Sequence, residues 1–280
     1  MVSDFLTDMA AAKTAELNRL KGEIPLAALK RSIKQAPPVR SLNLPEPFGG
    51  LGLIAEVKKA SPSAGDIATD LDPAALALEY QAGGAAAVSV LTESTRFGGS
   101  VQDLVLVRSR LDLPVLRKDF IIDPYDIYRS RGLGADLVLI IAAMLERDRL
   151  ERLIQLALEL SLTPLVEVHS RNDLKKVKGL PVSIIGVNNR DLKTLTVNLD
   201  TSFQLIDELL DSFPGCRAVA ESGIRRPETA AELAAVGYSA LLVGEYLVRS
   251  HHPKRAVTEL LAAVRDASVQ PAASIQGNQT

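Results

Sequence analysis

Leu53-Ile54-Ala55-Glu56-Val57-Lys58, followed at once by Lys59-Ala60-Ser61-Pro62-Ser63-Ala64-Gly65, is the stretch on which the fold turns. The first six residues read as a β-strand buried on both faces, because apolar side chains fall at both parities of a period-two pattern. The Ser/Pro/Gly run cannot extend that strand, so Glu56 and Lys58 stand at its C-terminal end, two residues apart and on one face of the pleat. Parallel α/β proteins place their chemistry at such ends. An ordinary surface ion pair would need a solvent face that this strand does not offer.

Outward from this run, short β-rich segments alternate with helical stretches, the order that gives a parallel sheet with helical crossovers. Eight strands are expected, at about Leu53–Lys58, Ala86–Leu91, Val115–Lys118, Asp136–Ile141, Pro164–His169, Ser183–Val187, Arg217–Glu221 and Ala240–Gly244, with helices such as Pro73–Ala82 and Arg147–Leu160 between them. Eight such units close a (β/α)8 TIM barrel, which typically needs about 250 residues. The chain has 280 residues, enough for one large core. No G-x-G-x-x-G opens a helix after the first strand, which disfavours a dinucleotide-binding sheet.

Residues 1–50 fall outside the repeat. Apolar residues at Phe5, Leu6, Met9, Ala12, Leu17 and Leu20 give a helix over Asp4–Lys21, and a second short helix spans Pro25–Lys34 before Pro37-Pro38 and the Pro45–Gly52 linker. The expected organisation is a helical extension (1–50) packed on the barrel, a catalytic barrel (51–268) and a mobile tail (269–280) of small polar residues.

Composition excludes several functions. A net charge of −2 with 24% charged residues argues against a nucleic-acid surface. No apolar stretch reaches the roughly 18 residues of a membrane span, and the N-terminus lacks the features of a secretory signal, so a cytoplasmic location is expected. The single Cys216 cannot form an intrachain disulfide, and His169, His251 and His252 do not make a zinc cluster. Cys216 and the adjacent His251-His252 read as structural or surface residues.

If the strands close, charge converges on one rim. Strand three ends in Leu116-Arg117-Lys118-Asp119-Phe120, strand five in Leu165-Val166-Glu167-Val168-His169, and strand seven in Val219-Ala220-Glu221-Ser222-Gly223. Inward-facing Lys118, Glu167 and Glu221 put Leu116, Leu165 and Val219 in the layer below. Asn188 and Arg190 follow strand six at the rim or in its loop. Lysines and carboxylates in a partly desolvated mouth form a general acid/base set. The loops at Glu221-Ser222-Gly223-Ile224 and Val243-Gly244-Glu245, after strands seven and eight, read as a phosphate seat offering backbone N–H groups. Gly98-Gly99-Ser100 is a tight loop or a helix start.

These residues resemble the indole-3-glycerol-phosphate synthases. The resemblance spans nearly the whole chain. It rests on Ile54-Ala55-Glu56-Val57-Lys58-Lys59-Ala60-Ser61-Pro62-Ser63, Ser89-Val90-Leu91-Thr92-Glu93 with Phe97-Gly98-Gly99-Ser100, and Leu116-Arg117-Lys118-Asp119-Phe120-Ile121. It continues through Leu165–His169, Ile185-Gly186-Val187-Asn188-Asn189-Arg190-Asp191-Leu192, Glu221–Ile224 and Leu242–Glu245.

The resemblance implies a (β/α)8 barrel whose N-terminal extension helps cover the active site. It implies closure of 1-(2-carboxyphenylamino)-1-deoxyribulose 5-phosphate to indole-3-glycerol phosphate, with loss of carbon dioxide and water and without a metal or organic cofactor. By matching motif, Lys118 is the general acid on the ketone oxygen. Lys58 holds substrate and assists proton transfer, Glu167 and Glu56 orient the lysines and move protons, and Asn188 positions the intermediate. Ser61 and Arg190 contact anionic or hydroxyl groups, Glu221 orders the polar network, and Ser222, Gly223, Gly244 and Glu245 seat the phosphate. Two residues depart from the family pattern: Ala64, where many relatives carry lysine, and Tyr246, where a small residue is common. The expected partner is a phosphorylated small molecule bound by a monomer, with neither nucleic acid nor membrane involved. Rival readings are a sugar-phosphate isomerase, an aldolase forming a Schiff base on Lys58 or Lys118, and a barrel that binds a phosphorylated ligand without turnover.

Overall fold

The computed structural model describes residues 5–62 and 65–269, the last five as backbone only. Its eight principal strands are β1 (Gly52–Val57), β2 (Ala87–Leu91), β3 (Val115–Lys118), β4 (Leu137–Ile141), β5 (Thr163–Val168), β6 (Ile184–Asn188), β7 (Arg217–Glu221) and β8 (Ala240–Val243). Each bound lies within one residue of the expected one. All neighbours pair in parallel, and β1 bonds to both β2 and β8, which closes the barrel. The departure from the simple repeat is a small hairpin after β1, Ala60–Ser61 against Gly65–Asp66.

Period-two alternation divides the strand residues between two apolar layers. Ile54, Ala87, Leu116, Leu137, Leu139, Leu165, Ile184, Val219, Ala240 and Leu242 fill the interior. Their alternates, including Leu53, Ala55, Val88, Val115, Ile140, Val166, Ile185 and Ala218, pack under the surrounding helices. Leu116, Leu165 and Val219 therefore lie in the layer expected of them, two residues below Lys118, Glu167 and Glu221.

The helices start where the local chemistry dictates. Asp72 caps α3 (Pro73–Gly83) by accepting from the Ala74 and Ala75 N–H groups, and Asp123 caps α5 (Pro124–Gly132) through Tyr125 N–H. Ser100 caps α4 (Val101–Arg110) by accepting from Gln102 N–H, so the Gly98-Gly99-Ser100 segment is a helix start. The outer layer continues with α6 (Arg147–Glu159), α7 (Arg171–Val177), α8 (Asp200–Ser212), α9 (Pro227–Ala235), α10 (Glu245–Val248) and α11 (Pro253–Val269).

Two helices precede the barrel, α1 (Phe5–Glu23) and α2 (Leu26–Ile33). α1 buries Met9, Leu17 and Leu20 as its periodicity predicts, and it also buries Lys13. Tyr125 of α5 holds the end of α1, its hydroxyl lying 3.1 Å from Leu20 O and 2.8 Å from Ile24 O. Of the expected tail, all but Val269 lies outside the described residues, as do Ser63 and Ala64. Among the described residues no helix is long and apolar enough to cross a membrane.

At the opposite end of the barrel from the charged rim, Asp136 joins three segments. Its carboxylate accepts from Arg40 N–H (2.7 Å), Val115 N–H (2.8 Å) and Arg108 Nη2 (3.0 Å), and it forms an ion pair with Arg108 Nε at 2.9 Å. Asp136 is fully buried, and its removal would strand a buried arginine. Asp136→Ala is therefore expected to destabilise the fold by about 3–5 kcal/mol, read as a lower urea-unfolding midpoint; an unchanged midpoint would rule out this anchoring role.

Candidate active site

Lys118 ends β3 and points into the barrel mouth. Its Nζ lies 3.1 Å from Glu167 Oε2 at the end of β5 and 3.1 Å from Glu221 Oε2 at the end of β7. Three strands thus contribute one ion cluster. Burial disfavours the Lys118 ammonium, but the charges of Glu167, Glu221 and Glu56 outweigh it and hold its pKa above the ordinary lysine value. Burial likewise disfavours the Glu167 carboxylate; Lys118, with His169 and Asn188 beside it, reverses this and keeps Glu167 well below the usual range. His169 Nε2 is 3.2 Å from Glu167 Oε1.

Glu221 goes the other way. Burial and the neighbouring Glu167 charge, opposed by Lys118, push it up to about 8. Its second oxygen, Oε1, is buried without a hydrogen-bond partner, a lesser penalty for a neutral carboxyl than for a carboxylate. That oxygen lies over Gly186 of β6, where any Cβ would collide with it. Of the two carboxyl groups on Lys118, Glu167 is held towards the ionised form and Glu221 towards the protonated one.

Glu56 and Lys58 project to one face, as their spacing predicts, and pair at 2.9 Å. Both are mostly buried. Glu56 occupies the space a Cβ on Gly244 would need, so the glycine after β8 admits the carboxylate. Ser61, in the small hairpin, is buried at the same mouth.

On the far side, the loop after β7 turns through Ser222 (φ 67°) and Gly223 (φ 82°), two successive left-handed residues. A non-glycine residue in that region is uncommon. Asn189 holds the turn, donating from its amide to Glu221 O (3.0 Å) and Ser222 O (3.2 Å) and accepting from Ser202. Asn188 Oδ1 accepts from Arg190 N–H (3.0 Å), and Arg190 is half-buried, with Nη1 2.8 Å from Leu195 O. Gly244 precedes α10, and Glu245 reaches Arg249 (3.3 Å) and Arg225 (3.6 Å).

All twelve residues singled out in the sequence, Glu56, Lys58, Ser61, Lys118, Glu167, Asn188, Arg190, Glu221, Ser222, Gly223, Gly244 and Glu245, line one cavity. The search for charge missed its apolar wall. Phe5 from α1, Phe97 from the loop after β2, and Phe120 after β3 line the same cavity with Leu139, Ile141 and Leu242. Phe120 lies 6.1 Å from both other rings, edge-on to Phe5. Glu93 sets Phe97 in place by accepting from the Thr95, Arg96 and Phe97 N–H groups. Period two at the upper layer of β4 and β8 could have identified the leucines; nothing local could have brought Phe5 here. Tyr246 also lines the mouth.

Cys216 is buried, and burial pushes its thiol up to about 12, which leaves it inert. His251 and His252 are exposed. Among the described residues no group of three or more His, Cys, Asp or Glu is arranged to hold a metal ion.

Comparison with known proteins matches this geometry to a family. The indole-3-glycerol phosphate synthase family model matches residues 6–260. The chain is 43% identical over 270 residues to indole-3-glycerol phosphate synthase of Kineococcus radiotolerans, covering 95% of this chain and 97% of that one. It is 45% identical to indole-3-glycerol phosphate synthase 1 of Streptomyces coelicolor, covering 89% and 91%. Among solved structures, 3-hexulose-6-phosphate synthase from Salmonella typhimurium aligns with a TM-score of 0.61 at 12% identity, covering 78% of this chain and 100% of that one. Tryptophan synthase subunit alpha from Legionella pneumophila aligns at 0.57 and 13%, covering 77% and 93%. At such identities these two structures support the barrel fold alone. The ordered motifs, the match along most of the chain and the relatives above 40% identity agree: the chain belongs to the indole-3-glycerol phosphate synthase family.

Proposed function

We propose that this chain carries out the family's carboxy-lyase reaction of tryptophan biosynthesis with Lys118 as the proton donor to the ketone oxygen. The substrate, 1-(2-carboxyphenylamino)-1-deoxyribulose 5-phosphate, loses carbon dioxide and water to give indole-3-glycerol phosphate. The observation that carries the assignment is the Lys118 ammonium, 3.1 Å from each of two buried carboxyl groups, at a mouth with an apolar wall on one side and the Ser222-Gly223 turn on the other.

Closure needs a ring carbon held against a carbonyl carbon at about 3–3.5 Å. The aromatic wall of Phe5, Phe97 and Phe120 suits the benzenoid ring. Ser222, Gly223, Gly244 and Glu245 seat the phosphate, chiefly through backbone N–H groups, with Arg190 and Ser61 on anionic or hydroxyl groups. As the carbon–carbon bond forms, negative charge grows on the ketone oxygen, and Lys118 meets it with a proton. Carbon dioxide then departs and leaves the electron pair of its carbon–carbon bond in the ring, which restores aromaticity. Water leaves last, its hydroxyl protonated by Lys58 while one proton departs from the adjacent carbon to the carboxylate pair Glu167 and Glu56, which also orients the lysines; Asn188 steadies the intermediate and Glu221 orders the network. Each step is a proton transfer or a heterolysis, so the reaction balances without a redox partner. A Schiff-base aldolase would need a neutral amine, whereas the carboxyl groups around Lys118 hold it charged.

The same reading takes residues 1–50 as a covering extension and 51–268 as the catalytic barrel, acting as a cytoplasmic monomer on a small phosphorylated metabolite without nucleic acid. The net charge of −2 speaks against nucleic acid, and the gathering of all twelve residues around one cavity suits a small metabolite.

Lys118→Ala should lower kcat by at least about 10²-fold with little change in KM, because its work is done in the transition state. Product fluorescence measures this directly, since the chain has no tryptophan of its own. Turnover near the parent level would remove Lys118 from the mechanism. Glu221 yields a second expectation, with its sign set by linkage. Its folded-state pKa is raised from 4.5 to about 8, so the native state retains a proton that the unfolded chain releases. Its contribution to stability is full below the unfolded value and is lost as pH rises through this window. Glu221→Gln stays neutral, so its unfolding midpoint should gain on the parent's between about pH 5 and pH 8. Midpoints that run parallel across that range would show that Glu221 is ionised throughout.

A further inference from the structure

Next to Lys118 lies a second ion cluster that the proton transfers do not use. Arg117 points out of the barrel and is fully buried. Its guanidinium donates to Asp119 Oδ2 (2.7 Å), Thr92 Oγ1 (3.1 Å), Ser130 Oγ (2.9 Å) and Asp126 O (3.2 Å). Thr92 Oγ1 also donates to Asp119 Oδ2 at 2.7 Å. The other Asp119 oxygen, Oδ1, accepts from Phe120 N–H (2.8 Å) and from the Lys13 ammonium (3.0 Å). Lys13 also lies 3.0 Å from Glu16 and 3.6 Å from Asp126. It is 4% exposed, and it brings α1 into a network otherwise built by the barrel.

The spacing along α1 gives this contact a consequence. Phe5, Met9 and Lys13 are four residues apart and share one face, which puts Phe5 about 12 Å from Lys13 along the axis. Met9 packs with Phe120 in the interior cluster, and Phe5 meets the Phe120 ring edge-on. Met9, Leu17 and Leu20 already supply apolar docking. A buried ammonium adds little net stability over a well-packed apolar residue, but it demands one geometry of its partners. Apolar contacts alone would tolerate α1 sliding along its axis; Tyr125 and the Arg129–Glu16 and Lys21–Asp123 pairs hold the C-terminal half of α1 to α5 and its cap, and the Lys13–Asp119 bond is what ties the helix to the turn after β3.

We propose that Lys13 is a positioning residue: by binding Asp119 it fixes α1 lengthwise, sets Phe5 against Phe120 at the mouth, and holds the 118–120 turn while Lys118 acts. The role deepens the reading of Lys118 as proton donor and rests on it. The bond connects the extension to the residue between the proton donor and an aromatic wall residue, so the extension and the chemistry share one carboxylate.

The test places a single tryptophan reporter at the mouth by Phe5→Trp, in a chain that otherwise has none. Lys13→Met is made in that background, with and without Asp126→Asn, which removes the buried negative charge that Lys13→Met leaves uncompensated. Lys13→Met is expected to shift emission to longer wavelength as the indole loses its packed surroundings, and to lower kcat by about 10-fold to 100-fold. The double variant should recover the unfolding midpoint while emission and kcat stay changed. Emission and kcat within twofold of the Phe5→Trp parent, or their return together with the midpoint in the double variant, would overturn the proposal. So would shifted emission with unchanged kcat. Should Lys13→Met alone fail to fold, the double variant set against Asp126→Asn gives the same comparison. Failure of the Lys118 assignment is distinguishable, because Lys118→Ala would then turn over normally while the emission of Lys13→Met still reported on docking.

Discussion

Eight parallel strands enclose a space no wider than the side chains that fill it, so charge that points inward must be matched by charge that also points inward. At this mouth two lysines, Lys58 and Lys118, face three glutamates, Glu56, Glu167 and Glu221. Among these five, three carboxyl groups crowd around two ammonium groups in a poorly solvated volume. The crowding falls most heavily on Glu221, where burial and the neighbouring Glu167 charge favour the protonated carboxyl and push it up to about 8. Glu167 remains ionised because it has Lys118, His169 and Asn188 around it, whereas one oxygen of Glu221 faces only Gly186.

Charge balance depends in turn on how closely the strands can bring these groups. Gly186 and Gly244 are the points where a carboxylate fills the space a side chain would take. Below them, Leu116, Leu165 and Val219 form an apolar floor that excludes water and makes each pairing electrostatically stronger. Beside them, the aromatic wall comes from three different parts of the chain. The extension is therefore part of the cavity surface, and its placement bears on the shape of the site.

Much of this was legible in the sequence because strands are local objects with a short period. In Leu116-Arg117-Lys118 the alternation alone sends Leu116 and Lys118 inward, and the same reasoning places Glu167 and Glu221. The outward residue Arg117 was passed over, since a charge facing a helical layer has no meaning until the helix and its partners are in place. Its neutralising carboxylates, Asp119 and Asp126, and the Lys13 ammonium that shares them span more than a hundred residues, and no periodicity links them. Lys13 illustrates the limit. On a helical wheel it extends the Phe5–Met9 stripe, yet its lysine identity argues for solvent, and only the acceptor supplied by Asp119 makes burial tolerable. Glu245 illustrates another. Its position after β8 was readable, but not the turn of its side chain towards Arg225 and Arg249.

The field around Lys118 bears on how it can act. Carboxyl groups that hold an ammonium above its ordinary pKa make it a reluctant acid, and a proton donor works best when its pKa lies near the operating pH. Two features offset this. Protonation of Glu221 removes one of the charges that hold the proton on Lys118. In the proposed reaction the substrate then places a ketone oxygen beside the ammonium, and as the ring closes that oxygen becomes an alkoxide, a far stronger base than the ketone. An ammonium already oriented by Glu167 lowers the energy of that charge before any proton moves, because its dipoles need no rearrangement in the transition state. Proton transfer follows the growth of charge on oxygen. On the proposed assignment, the high affinity of Lys118 for its proton keeps the donor charged and in place when substrate arrives, and the reaction supplies the acceptor strong enough to take the proton.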